Sequence, residues 1–297
     1  MAHYRFRIVN VFAESTFGGN PLCVFEDGRG LSDAQMLALA RQFNLSETTF
    51  ILPSEQADAN VRIFTPGYEM RFAGHPTLGT AHVIRALRGS GDALTLSFKA
   101  GVVPVRAHGD VWTLTAPAEG APLVREVALP RAEVAALVGL QADDLLAAPV
   151  WVDTGADQLL IPLKHPDAVR RAAPVSTLLE RWPLSSLGRK TGYVFAFDDA
   201  PGDGANPSAN TGTRQVVARY FFTTQGGGVS EDPGTGSACA NLGGWLISTG
   251  HALPASLRVS QGDQIDRPCR LQLDLSEDRA IRVGGRVIEL GQGTITL

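Results

Sequence analysis

Gly74-His75-Pro76-Thr77-Leu78-Gly79-Thr80-Ala81 and Gly234-Thr235-Gly236-Ser237-Ala238-Cys239-Ala240 decide how this 297-residue chain is read, because each leads from a tight loop into a helix of small residues. Small side chains such as Gly79, Ala81, Ala238, Ala240 and Gly243 let neighbouring backbone approach closely, as a helix enclosed by a surrounding sheet requires. The echo implies two similar halves, each built around one such helix and facing the other.

Outward from the first motif, Pro76 suits a first helical position and Gly89 a C-terminal cap, so a helix is expected from Pro76 to Arg88. Upstream, Tyr4 to Ala13 alternates like a strand and runs into a turn at Gly18-Gly19-Asn20-Pro21. Ser32 and Gln35 have capping-box spacing, and Met36, Leu37, Leu39, Ala40 and Phe43 recur at helical spacing up to Asn44. Thr48 to Leu52, Val61 to Phe64, Leu94 to Phe98, Val102 to Arg106 and Trp112 to Ala116 read as strands. Pro117, Gly120 and Pro122 then thin the apolar pattern and place a domain boundary near residue 118. The plan repeats around the second motif, with helices expected at Arg131 to Val138 and Ser237 to Ser248, strands at Tyr193 to Phe197 and Val216 to Phe222, and closing strands. Asp198 to Arg214, rich in Gly, Asn, Pro and Ser, reads as a surface loop edging the functional cleft.

Composition narrows the function classes. A hydrophobic fraction of 44% can supply a core for each of two domains. The 26 basic and 30 acidic side chains give a net charge of −4 with no long run of either sign, which argues against a nucleic-acid partner. No apolar stretch reaches the ~20 residues that cross a bilayer, and the first residues alternate where a signal peptide would be uniformly apolar, so a cytoplasmic protein without a membrane partner is expected. Cys23, Cys239 and Cys269 are odd in number and lack metal-type spacing, which suits small buried hydrophobes in a reducing compartment. No Lys follows the glycines as in a phosphate-binding P-loop, and no Gly-x-Gly-x-x-Gly fingerprint opens a βαβ unit, which argues against a dinucleotide cofactor.

The chemistry has few candidates. Glycine-rich helix starts present unpartnered N–H groups and a positive dipole end, so Gly74, His75, Gly236 and Ser237 could converge on one carboxylate or enolate oxygen; two ordinary helix starts would look the same. Glu47, in Leu45-Ser46-Glu47-Thr48-Thr49-Phe50, precedes an apolar strand, where burial would raise a carboxyl toward general-base use, although a solvated Glu is the commoner occupant of such a connection. His75, at a helix start, is expected to be neutral, with a capping or packing role as the alternative. His82, seven residues on, is read as a core or supporting residue. Asp232, just before the second loop, can orient a substrate amine or hydroxyl or cap the helix.

Taken together these segments resemble one family. Asn10-Val11-Phe12 with Gly19-Asn20-Pro21, Ser46-Glu47-Thr48, Arg71-Phe72-Ala73-Gly74-His75-Pro76, Glu231-Asp232-Pro233-Gly234-Thr235-Gly236-Ser237, and Gln261-Gly262 with Arg267-Pro268 look like the successive signatures of phenazine-biosynthesis-type isomerases, in order and at the right spacing. The resemblance implies an α+β chain of the diaminopimelate-epimerase fold, with two pseudo-symmetric domains, each a curved mixed β-sheet wrapped around a central α-helix. The expected domains are 1–118 plus about 283–297, and 119–282, with the active site in the cleft between them. It implies that Glu47 removes and redelivers a proton on a small carboxylate-bearing metabolite, dihydro-hydroxyanthranilate in the best-known members, while His75, Asp232 and Ser237, with the amides of Gly74 and Gly236, hold the substrate. No cofactor or metal is implied, and a homodimer is. Epimerases and racemases of the same fold generally use two thiols, whose positions here match Ala73 and Pro233. Gly234 stands where alanine is common in the family. An epimerase using Glu47 with another acid, or a metabolite-binding protein without catalysis, are the competing readings.

Overall fold

The computed structural model describes residues 1–116, 121–198, 213–224 and 226–297. The expected boundary at residue 118, and residues 199–212 of the expected surface loop, lie outside the described residues. The chain divides into two compact units, Met1–Thr115 with Gly284–Leu297, and Ala116–Val283.

The first unit contains β1 (His3–Val11), β2 (Asn20–Phe25), α1 (Asp33–Phe43), β3 (Glu47–Leu52), β4 (Ala59–Phe64), β5 (Glu69–Met70), α2 (Gly74–Arg88), β6 (Ala93–Phe98), β7 (Gly101–His108) and β8 (Val111–Thr115). Strand β2 runs antiparallel to β1 and parallel to β3, β3 is antiparallel to β4, and β4 is parallel to β6, with the short β5 hung on β4 as a hairpin. Helix α2 packs against β1, β2, β3, β6 and β8, so the sheet wraps around it. That enclosure explains Gly79: a Cβ there would lie 2.6 Å from Leu22 Cδ2 and 2.9 Å from Val11 Cγ2, closer than side chains tolerate. Helix α1 covers the other face through a cluster of Phe25, Met36, Leu39, Phe50 and Phe64. The Ser32–Gln35 capping box is present, with Asn44 as a left-handed C-cap. Helix α2 starts at Gly74, two residues before the start expected at Pro76. Its N-cap is Ala73, which has no side-chain acceptor to mark the boundary.

The second unit contains β9 (Leu123–Glu126), α3 (Arg131–Leu137), β10 (Val150–Asp153), β11 (Asp157–Pro162), α4 (Pro166–Arg171), β12 (Thr191–Phe197), β13 (Arg214–Thr223), β14 (Val229–Asp232), α5 (Gly236–Ser248), β15 (Ala255–Gln261) and β16 (Cys269–Leu275). Its pairing repeats that of the first unit. Strand β11 is antiparallel to β10 and parallel to β12, β12 is antiparallel to β13, β13 is parallel to β15, and β14 hangs on β13 as a hairpin. Helix α5 is buried over almost its whole length and packs against β9, β10, β11 and β16. A Cβ on Gly243 would meet Ile281 Cγ2 and Leu275 Cδ2 at 2.9 Å. Helices α3 and α4 pack on the opposite face, with Val134, Trp151, Leu159, Trp182 and Phe221 between the layers. The long last strand, β17 (Ile281–Thr296), begins in the second unit and continues into the first, where it pairs with β1 from Val11↔Val287 out to His3↔Thr296. The fold is α+β, with a mixed sheet around one central helix in each unit.

Candidate active site

In the first unit, strand parity places Glu47. Successive side chains of β3 point to opposite faces. Phe50 joins the α1 cluster, while Thr49 faces α2, where its Oγ1 lies 2.8 Å from Thr80 Oγ1. Glu47 shares the parity of Thr49, and its Oε2 lies 3.2 Å from Nε2 of His75, the second residue of α2. The pair is close without being aligned as a hydrogen bond. On the far side of the ring, Asn20 Nδ2, from the start of β2, sits 3.3 Å from Nδ1. Burial pushes His75 down to about 3, opposed by a hydrogen bond with the Pro21 backbone, so the imidazole is neutral at ordinary pH. The sequence reading expected a neutral ring from the helix-end potential; the larger cause is desolvation.

A neutral imidazole carries one N–H, and its two tautomers offer Glu47 either a donor or an acceptor. A carboxylate acting as base is served by the donor, and the carboxylic acid it becomes is served by the acceptor. The Glu47 side chain keeps 14% of its surface exposed, against 6% for His75, so the carboxyl can meet a small molecule while the ring is shielded. Gly74 is the first residue of α2. His82 accepts from Trp112 Nε1 at 3.3 Å and is driven down mainly by burial, consistent with a packing role.

In the second unit, Asp232 ends β14, and Gly236 and Ser237 open α5. Thr235, the N-cap of α5, makes no capping bond with its side chain. Its hydroxyl instead donates to Asp232 Oδ2 at 2.5 Å. Gln261, fully buried, grips this corner with both ends of its amide: Nε2 donates to the Asp232 carbonyl at 2.8 Å and to Thr235 Oγ1 at 3.0 Å, and Oε1 accepts from the Thr235 N–H at 3.3 Å. The Gln261-Gly262 motif noted in the sequence is therefore a clamp on the loop that carries Asp232. Ser237 is partly exposed, and its Oγ accepts from Gln158 Nε2 at 2.8 Å. Gln158 and Asn241 escaped the sequence reading; the trace they leave is one amide in the apolar run of β11 and one in the buried helix α5.

A sequence profile of the family described as phenazine biosynthesis-like protein matches residues 9–293. The chain belongs to that family. An uncharacterized isomerase of Pasteurella multocida is 37% identical to it over 98% of this chain and 94% of its own length. The trans-2,3-dihydro-3-hydroxyanthranilate isomerase of Pseudomonas chlororaphis is 33% identical, with 100% of both chains covered. Among solved structures, a phenazine biosynthesis protein of Bacillus anthracis superposes with a TM-score of 0.81 over 100% of both chains at 23% identity, a likeness of fold. By these relatives the chain is an isomerase of the phenazine biosynthesis-like family.

In this phenazine biosynthesis-like isomerase, Ala73 is the N-cap of α2 and Pro233 lies between β14 and α5, so neither position offers a thiol. The three cysteines are free and buried, and burial holds each thiol well above its ordinary range. None is poised as a thiolate acid or base. Among the described residues, no helix is long and apolar enough to cross a membrane.

Proposed function

We propose that this isomerase moves a proton between two carbons of a small carboxylate-bearing metabolite without a cofactor, with Glu47 as the general acid/base. The observation that carries the reading is the Glu47–His75 pair: a partly exposed carboxyl 3.2 Å from a buried neutral imidazole that can answer either protonation state of Glu47. In the forward step the carboxylate takes a proton from a carbon next to a conjugated system, and the electron pair spreads into that system. The same carboxyl, now acid, returns the proton to the other end of the conjugated carbons.

Asp232 would orient an amine or hydroxyl of the substrate, and Ser237 with the amides of Gly74 and Gly236 would hold its carboxylate. A dihydro-hydroxyanthranilate-like substrate is favoured by the relative from Pseudomonas chlororaphis named for it. The absence of thiols from positions 73 and 233 favours this one-carboxyl reaction over two-thiol epimerisation.

The test is turnover of trans-2,3-dihydro-3-hydroxyanthranilate in D₂O by wild type and Glu47→Gln, followed by NMR and mass spectrometry. Wild-type turnover that vanishes in the variant supports the reading. Equal turnover by both proteins refutes Glu47 as the base, and a wild type inert toward this compound removes it as the substrate.

A further inference from the structure

Beneath Ser237 lies a chain of buried amides whose polarity the backbone dictates. Asn241, fully buried on α5, accepts at Oδ1 from the Thr154 N–H at 2.9 Å and from Thr154 Oγ1 at 2.7 Å. A backbone N–H can only donate, so this end of the Asn241 amide must be oxygen. Its other end donates from Nδ2 to the Ala156 carbonyl at 2.8 Å, and a carbonyl can only accept. Nδ2 also donates to Gln158 Oε1. With its oxygen committed to Asn241, Gln158 presents Nε2 to Ser237 Oγ, and its side chain also hydrogen-bonds Tyr220. Each link follows from the one before, starting from a peptide N–H that cannot reverse.

We propose that Asn241 and Gln158 are positioning residues that set the direction of the Ser237 hydroxyl, so that it accepts from Gln158 and offers its own proton to an oxygen of the bound substrate. This rests on the reading of Ser237 as a substrate contact. A serine hydroxyl is otherwise free to rotate and can donate or accept. Committing a lone pair to Gln158 turns the hydrogen away from that amide, and the serine becomes a dedicated donor for an anion, at no ordering cost when the substrate binds.

Isosteric reversal tests the idea. In Gln158→Glu, one carboxylate oxygen still accepts from Asn241, but the other must accept from Ser237 and captures its proton. In Asn241→Asp, the donor to Gln158 is lost, the Gln158 amide turns over, and its oxygen captures the same proton. Both variants are expected to raise KM for trans-2,3-dihydro-3-hydroxyanthranilate about tenfold with kcat little changed, as Ser237→Ala should. Gln158→Leu frees the hydroxyl to rotate and restores its ordering cost, so KM is expected to rise about threefold, less than in either reversed variant. A merely structural role predicts the opposite order, with Gln158→Leu the worst of the set.

Charge repulsion by the carboxylate that Gln158→Glu introduces is separated by the double variant: added to Ser237→Ala, Gln158→Glu has no further effect if it works through the hydroxyl. A further effect there, or Gln158→Leu the most impaired, overturns the proposal. Should Ser237→Ala leave KM unchanged, the reading of Ser237 as a substrate contact fails instead. The polarity is then read directly in ¹⁵N-labelled wild-type protein, where NOEs from the Gln158 Nε2 protons to Ser237 Hβ support it and NOEs to Asn241 Hβ refute it.

Discussion

The two units solve the same topological problem and equip the solution differently. In each, a side chain from the start of one strand meets the second residue of the central helix: Asn20 of β2 meets His75 of α2, and Gln158 of β11 meets Ser237 of α5. The first corner adds Glu47 from the neighbouring parallel strand and becomes a titratable pair. The second adds Asn241 and becomes a run of amides and a hydroxyl with no group that titrates near neutral pH. On the proposed function, the repeated scaffold separates a corner that exchanges protons from one that holds an anion in a fixed direction.

That division is tested first where it predicts the largest effect. Glu47→Gln is expected to lower kcat by about 10²- to 10⁴-fold with KM nearly unchanged, the span of general acid–base catalysis. Ser237→Ala is expected to do the reverse, raising KM about tenfold at nearly constant kcat, as loss of a hydrogen bond to a charged group would. Steady-state kinetics of the two variants side by side decide this. If both lower kcat alike, the corners share one role and the comparison fails.

A difference in pH response comes next. His75 stays neutral in the folded protein down to about pH 3, whereas in the unfolded chain it takes up a proton below about pH 6.5. Between those values the unfolded state binds the extra proton, so stability falls as the pH falls, by about 1.4 kcal/mol per unit for one such group. Urea unfolding at pH 6 and pH 5 should show His75→Asn losing that increment of slope, while Gln158→Leu keeps it. The smallest effect concerns packing. Alanine at Gly79 or Gly243 should each cost about 1 kcal/mol, overcrowding outweighing the better helix propensity, with Gly79→Ala the more harmful because its nearest neighbour is closer. Thermal midpoints check both, and equal shifts would mean the two helices are held equally tightly.

Much of this was readable in the sequence where local signals act alone. The capping box of Ser32 and Gln35, the C-cap at Gly89 and the small-residue helices were visible because each rests on neighbours in the chain. The start of α2 was misplaced because Ala73 carries no capping atom. The strand pair β10 and β11 went unread because Leu159, Leu160 and Ile161 are all buried, which erases the alternation that marks a half-exposed strand. Glu47 and His75 were singled out individually, and the resemblance gave them roles, but their 3.2 Å approach depends on β3 parity and the burial of α2. Gln158 and Asn241 were invisible for a related reason: an amide is ordinary until its partners, about 80 residues away in the chain, are in place.

The last strand has a consequence for how the molecule is made. Because β1 pairs with β17, from Val11↔Val287 to His3↔Thr296, residues 3–11 wait for residues 287–296 before their sheet is complete. The second unit has all of its residues once Val283 has been added, so it can finish folding while β1 has β2 beside it and still lacks β17. During synthesis the usual order is therefore inverted: the half holding Ser237 can mature first, and the half holding Glu47 closes only after β17 has been made.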